Sequence, residues 1–370
     1  MKTYLIVIAF AVVMVLLGGS CKHDPPVGPK SKCDTCITPC DTCKDSTHHV
    51  TSNDTSSHNF IWAQSSISGE ASLSGCWVFG PKDIYVVGGA VWKYDGAKWT
   101  NVSPTDQRGV NLSGGLSGFS MFAQSESDYW LTYAGNVINV SGLNARLFLL
   151  DSLKPGFLHS SWGTSSSDMY SVGDGGTILH FDGNAWTKMA SGTTKDLHSI
   201  WGTSDQNIWA AGYNDTKGTV AIVHYDGSQW VVIDNSVLPG QVGGPGGDGV
   251  GSVWTVDSAS QHHVYASGAY FYRQINGGAW SRDSGTLKNA LSGGGFASLD
   301  FMRGNSANDY FIAGSGGFLS HWNGRSWMFY NQFFNFNSAS HDTYGLAVQG
   351  NTACMVGVDN GKGWVVIGQR

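Results

Sequence analysis

The chain has 370 residues, with 51 glycines, 15 tryptophans, 14 tyrosines and 17 phenylalanines against only 13% charged residues, a composition that fits an exported β protein. Its formal net charge is −6 and no basic cluster is present. A surface that tracks nucleic-acid phosphates therefore has no electrostatic basis, and nucleic acid is excluded as a partner.

Residues 1–20 come first. Lys2 is followed by an apolar run from Leu5 to Leu17. A bilayer core takes about 20 helical residues, so this run is too short to span one and reads as a secretory signal. It ends in Leu17-Gly18-Gly19-Ser20-Cys21. That segment resembles a bacterial lipobox, whose cysteine is lipidated and becomes the new N-terminus, although Leu17 stands one place further from the cysteine than in the usual pattern. The resemblance implies a lipid anchor at Cys21, membrane contact through that anchor alone, and a place in the cell envelope, at the outer membrane or cell surface of a Gram-negative bacterium. Lys22-His23-Asp24 resembles the Lys-plus-acidic signal that sends some lipoproteins outward. The alternative is an ordinary cleaved signal followed by a free thiol.

Residues 21–58 are polar and carry Pro25, Pro26, Pro29 and Pro39. Such a stretch buries too little apolar surface to offset its ordering entropy, and reads as a flexible tether. Within it lie Cys33, Cys36, Cys40 and Cys43, two Cys-x-x-Cys units separated by three residues. Disulfides are the default in an oxidising compartment. A soft metal ion, with His48 and His49 as spare ligands, and a redox role are the alternatives. No cofactor is expected beyond a metal at these thiols.

From residue 59 to 370 the chain repeats. Ser161-Trp162-Gly163-Thr164 leads to Asp168-Met169-Tyr170-Ser171-Val172-Gly173, and Ile200-Trp201-Gly202-Thr203 leads to Asn207-Ile208-Trp209-Ala210-Ala211-Gly212. Both continue through an alternating strand, an Asp-Gly turn and a tryptophan: Asp182-Gly183 and Trp186, then Asp226-Gly227 and Trp230. Alternation suits half-buried strands, and Asp-Gly suits a tight hairpin. The first of these two copies should place its first strand up to about Trp162, the second over 169–172, the third over 177–181 and the fourth over 185–189.

The anchor residue of the second strand recurs at Tyr85, Trp130, Tyr170, Trp209, Tyr265, Phe311 and, more weakly, Cys354. Seven four-stranded units at intervals near 45 residues are propeller arithmetic. Blade 2 departs most, with Tyr133 where glycine is expected and no Asp-Gly signal. The last unit stops after Trp364-Val365-Val366-Ile367, a third strand. Asn59-Phe60-Ile61-Trp62-Ala63-Gln64-Ser65 aligns with the fourth strands around Trp99 and Trp186 and should complete it, leaving no long unpaired edge between the termini. The expected fold is all-β, a seven-bladed β-propeller closed by its N-terminal strand. The repeat resembles the kelch-like and tryptophan-rich propeller repeats of secreted bacterial proteins, which implies a fold and leaves the activity open.

Candidate ligand-binding residues lie on the face formed by the loops between second and third strands and between blades. They are His159 and His198, at equivalent places before Trp162 and Trp201; Tyr213; Tyr270, Tyr272 and Arg273; and Phe333, Phe334 and Phe336, among asparagine and glutamine. Aromatic faces beside amides suit sugar or peptide recognition, although the three phenylalanines can equally plug the gap between blades 6 and 7. Catalysis is poorly supported. Only two glutamates exist, Glu70 and Glu126, and no nucleophile elbow, zincin helix or phosphate-binding loop appears. Asp83, Asp168 and Asp309 before second strands, and Asp95, Asp182 and Asp226 in hairpins, are explained by bonds from nearby backbone N–H groups. The reading is a non-catalytic binding propeller whose ligand is a glycan, a peptide or an envelope protein. A polysaccharide-active enzyme and a structural subunit of an envelope complex are the alternatives.

Overall fold

Each repeat folds as its alternation dictates, into a small antiparallel sheet with one apolar set on each face. The computed structural model describes residues 56–114, 120–153, 155–214, 219–233, 250–258, 260–268, 270–282, 298–333 and 341–370. Cys21 and the tether cysteines Cys33, Cys36, Cys40 and Cys43 lie outside the described residues, as do Phe334 and Phe336.

Seven sheets form the blades of one closed propeller. Their inner strands are Gly75–Gly80, Ser120–Ser125, Leu158–Ser165, Ser199–Ser204, Val250–Asp257, Phe301–Ser306 and His341–Gln349. Each packs on the next, and the last packs on the first. In blade 3 the remaining strands are Asp168–Gly173, Thr177–Phe181 and Trp186–Met189, within a residue of expectation. The inner strand alone runs further than expected, past Trp162 to Ser165.

The Asp-Gly hairpins take the form their residues require. Gly183 has φ 91°, a region an L side chain seldom adopts. Asp182 Oδ1 accepts the N–H groups of Asn184 and Ala185, both at 2.9 Å. Asp95 and Asp226 repeat this pattern, and Asn323 substitutes for aspartate in blade 6. At Asp226 a bond from the Ser228 hydroxyl joins the two N–H bonds and pulls the carboxyl down to about 2.

The aspartates before the second strands behave differently from expectation, because they bond side chains of the third strand. Asp168 meets His180 at 2.7 Å, Asp309 meets His321 at 2.8 Å and Asp83 meets Lys93 at 2.7 Å. Asn207 does the same with His224 at 2.9 Å. Strand register explains this, since each of these third-strand residues faces the anchor residue, and the three histidines stack on it: Tyr170 on His180 at 4.4 Å, Trp209 on His224 at 4.2 Å, Phe311 on His321 at 4.4 Å. The anchor aromatic thus holds the imidazole flat while the acidic or amide side chain fixes its edge.

Blade 2 differs again by gaining a fifth strand, Thr105–Asp106, paired in parallel with the outer strand Asn144–Phe148. Asp106 is buried there, accepting Arg108 Nε and Nη2 at 2.9 and 2.6 Å and the N–H of Val110. Cys76 and Cys354 are both buried thiols, as core residues would be.

Closure occurs where the sequence places it. The N-terminal strand Ile61–Ser66 pairs antiparallel with Lys362–Gln369 and is the outermost strand of blade 7. Trp62 faces Gly368, the register position that Trp186 holds against Phe181. A Cβ on Gly368 would lie 2.5 Å from the Trp62 ring, so the ring lies directly over the glycine and would have to shift for any other residue. A latch beside this seam joins the segment that enters the propeller, at Ser56 and His58, and Arg370 to blade 6. Asp309 accepts bonds from Ser56 Oγ at 2.8 Å, Asn305 Nδ2 at 2.7 Å, His321 Nε2 at 2.8 Å and the terminal Arg370 Nη2 at 2.7 Å. Burial opposes its charge, yet these donors together hold the Asp309 carboxyl far below the ordinary carboxylate range. Burial also lowers the pKa of His321, so its neutral ring donates Nε2–H to Asp309. Its Nδ1 then accepts from His58 Nδ1 at 2.9 Å, and His58 Nε2 accepts from Ser326 Oγ at 3.1 Å.

Candidate functional site

The inner strands enclose a channel that forms a cavity of about 890 Å³, within the size range of ligand pockets. Its mouth lies on the face made by the loops between second and third strands and between blades. One repeat position supplies the rim, the residue at the head of the inner strand, where several blades carry a bulge. It is Ser74 in blade 1, His159 in blade 3, His198 in blade 4, Gly251 in blade 5, Asp300 in blade 6 and Tyr344 in blade 7, and all six line the cavity.

These residues form a continuous arc from blade 3 to blade 6. Asp174, in the Asp174-Gly175-Gly176 turn, holds His159 Nε2 at 2.8 Å and also accepts the Phe157 N–H. The rings of His159 and His198 lie 4.7 Å apart, and His198 stacks on Tyr213 at 4.6 Å. Blade 5 contributes only Gly251, and a Cβ there would lie 3.9 Å from Tyr213 and 3.6 Å from Asp300 Oδ1. The missing side chain lets Tyr213 and Asp300 share that sector. Burial raises the pKa of Asp300, against a 2.6 Å bond from Ser298 Oγ that favours its charge. The neighbouring Asp342 raises it further.

Below the rim a belt of hydroxyls follows, from Ser120, Ser160, Ser199 and Ser252. The floor is aromatic, with Trp77, Phe122 and Trp201 in mutual contact: Trp77 to Phe122 at 5.2 Å and to Trp201 at 6.3 Å. Arg303 lies over the Trp201 ring at 4.2 Å. The channel lining therefore runs from polar residues at the rim to rings and one guanidinium deeper in.

The candidate residues divide. His159, His198 and Tyr213 come together on the rim. Tyr270, Tyr272 and Arg273 stand away from the cavity, because they belong to or precede the third strand of blade 5, two strands outward. Tyr272 is buried between blades, Tyr270 packs under the Arg282 guanidinium at 4.8 Å, and Arg273 is exposed opposite Tyr265. Phe333 is buried against Trp62, 5.4 Å between rings, so it plugs the seam of blades 6 and 7. Asp300, Tyr344 and Arg303 were not singled out from the sequence. Extending the equivalence of His159 and His198 to the other blades would have found the first two.

No family model matches the sequence, and no curated protein matches it. Among solved structures the chain is similar to YCF48 bound to D1 peptide, with a TM-score of 0.58 and 13% identity over 84% of this chain and 97% of that one. It is likewise similar to YCF48 from Cyanidioschyzon merolae, with a TM-score of 0.58 and 15% identity over 82% and 98%. At that identity the likeness is one of fold.

The chemistry of the site has to be read from its own residues. Both glutamates are engaged elsewhere: Glu70 accepts the Gly89 N–H and Trp92 Nε1, and Glu126 pairs with Lys93. Among the described residues no three His, Cys, Asp or Glu side chains gather as metal ligands. What the rim offers is hydrogen-bonding capacity beside flat rings along one arc of an open mouth.

Proposed function

We propose that this chain is a non-catalytic binding propeller, displayed on the cell envelope through Cys21, that captures an extended peptide or a protein segment at the mouth of its channel. The observation that carries the reading is the rim arc His159, His198, Tyr213 and Asp300 above a belt of serine hydroxyls. A backbone presents alternating donors and acceptors, which hydroxyls, imidazoles and a carboxylate match without special shape. The tyrosine and imidazole faces add apolar contact. A structure of YCF48, which has the same fold, holds a D1 peptide, and this supports the class of ligand. Phe333, packed against Trp62, offers no open face, which weakens the glycan alternative.

The test is selection from a random peptide display on the immobilised chain, repeated with a His198→Ala/Tyr213→Ala variant. Selected peptides should bind the variant about tenfold or more weakly, the equivalent of about 1.4 kcal/mol. Equal affinity for both proteins, or enrichment only on a glycan array, would overturn the reading. The anchor is tested separately, since Cys21→Ser should move the protein from the membrane fraction to the soluble one.

A further inference from the structure

The foot of each inner strand carries one repeat position, the residue that faces the second-strand anchor. It is Trp77, Phe122, Trp162, Trp201 and Trp254 in blades 1 to 5, and Ala347 in blade 7. In blade 6 it is Arg303, facing Phe311. A cation thus replaces an aromatic ring in the channel lining, over the Trp201 ring and in the same cavity as Trp77 and Phe122.

Its surroundings leave it without a counter-charge. Arg303 Nη1 donates to the Met302 carbonyl at 2.7 Å, and the guanidinium lies over the Trp201 ring. None of the ion pairs among the described residues includes it. Burial pushes its pKa down to about 10, which keeps it charged at neutral pH. No Arg303 nitrogen is both buried and unpartnered, so the donors not bonded to Met302 open on the cavity. A guanidinium is a planar fork of five N–H donors, matched by the two oxygens of a carboxylate or by an oxyanion. A face-on ring stabilises the cation while leaving its edge available.

We propose that Arg303 is an oxyanion subsite at the floor of the channel, taking a carboxylate or an inorganic oxyanion that enters through the mouth. The serine belt lies directly above it. Asp300 stands three residues earlier on the same segment, which at ~3.3 Å per residue places a carboxylate about 10 Å nearer the mouth. That polarity sets orientation: the anionic end of a ligand goes innermost, and its neutral or cationic part stays at the rim. The Trp201 ring against the guanidinium lowers the local dielectric and strengthens each bond the fork makes.

The experiment is calorimetric and thermal-shift titration of the full chain with sodium acetate and, separately, with inorganic phosphate at fixed ionic strength. Saturable binding of at least one anion below about 50 mM is expected, with a rise in Tm. Arg303→Met should abolish it, and Arg303→Lys, which keeps the charge but loses the fork, should weaken it about tenfold. Preference for acetate assigns the site to a carboxylate ligand, and preference for phosphate to an inorganic one. Absence of saturable binding by the unsubstituted chain overturns the proposal without reference to any variant, as does equal binding by a folded Arg303→Met protein. Should Arg303→Met fail to fold, equal affinity of Arg303→Lys overturns it. No peptide enters this titration, so its failure leaves the peptide reading standing, and failure of the peptide selection leaves this one standing.

Discussion

The same pair of groups, an imidazole and a carboxylate, occurs at the latch beside the closing seam and at the channel mouth, with opposite consequences. At the latch the side chain of His321 is 0% exposed and that of Asp309 13%, and every oxygen of the carboxylate is engaged. At the mouth His159 and Asp174 are at the same 2.8 Å distance, but their side chains are 31% and 39% exposed. A buried, saturated pair has nothing left to offer a ligand and costs several kcal/mol if broken. A half-exposed pair contributes about 1 kcal/mol or less to stability and keeps capacity for a partner. Chemistry alone therefore does not assign a role; the filling of the remaining hydrogen-bond sites does.

The sharpest way to break this contrast is to remove the strand that the latch secures. Deleting residues 59–66 strips the outer strand from blade 7, exposes the edge of Lys362–Gln369 and removes Phe60 and Trp62 from their contacts with Phe311, Tyr330 and Phe333. The loss should exceed about 5 kcal/mol and abolish cooperative unfolding. Deleting residues 22–55 should leave the melting curve unchanged. Equal melting temperatures for the two truncations would contradict the closure.

Next in size is the latch itself. Asp309→Ala leaves Arg370 and His321 without their acceptor in a buried place, and should cost about 3–5 kcal/mol in denaturant unfolding. Asp309→Asn keeps the shape and two of the acceptor sites, so it should cost less. If Asp309→Ala is nearly neutral, the cluster is a surface network and the contrast with the mouth fails.

Acidification acts on the latch with a definite sign. The pKa values of His321 and His58 are lowered from 6.5, burial being the largest cause for each. The unfolded chain then takes up protons before the folded one, so their contribution is fully present above about pH 6.5 and is lost as pH falls below it. Protonating His321 would also set its Nδ1–H against the donor of His58. Asp309, depressed below 3.8, adds a second loss as pH falls through the acid range beneath that value. Tm should therefore decline below pH 6.5, and His321→Gln should flatten the first part of that decline. A Tm that rises on acidification from pH 7 to 5 would sink the assignment of neutral imidazoles.

The closure was readable from the sequence because Trp62 carries the repeat's own fourth-strand signature, and the seven anchors because the second-strand pattern recurs at intervals near 45 residues. The arc at the mouth was half readable. His159 and His198 share a residue type at a repeat position, which is visible at once, whereas Asp300 and Tyr344 occupy that position with different residues and emerge only when the position is carried through every blade. The inserted interval between Trp209 and Tyr265 also obscures the place of Gly251. Arg303 escaped for a related reason: its importance is that it is not the aromatic residue found at its position in blades 1 to 5, and a departure shows only once every inner strand is aligned. Tyr270, Tyr272 and Arg273 were misplaced because turn proximity in sequence does not reveal how far out along the blade a strand lies. The two-residue strand Thr105–Asp106 carries too short a pattern to be seen at all.

The smallest effect on stability is also the one that separates the two pairs most cleanly. Asp174→Ala removes the acceptor that holds His159 Nε2 and the Phe157 N–H at the mouth. Both partners reach water, so thermal stability should change by about 1 kcal/mol or less. The His159 ring then loses its fixed edge and its fixed distance to His198, and a ligand must pay for ordering it again. Peptide affinity should fall about fivefold, roughly 1 kcal/mol, while acetate or phosphate binding at Arg303, on the floor and on another blade, stays as it was. A variant that loses stability and keeps its peptide affinity would make the mouth pair a structural element like the latch, and would move the search for a binding surface off this rim.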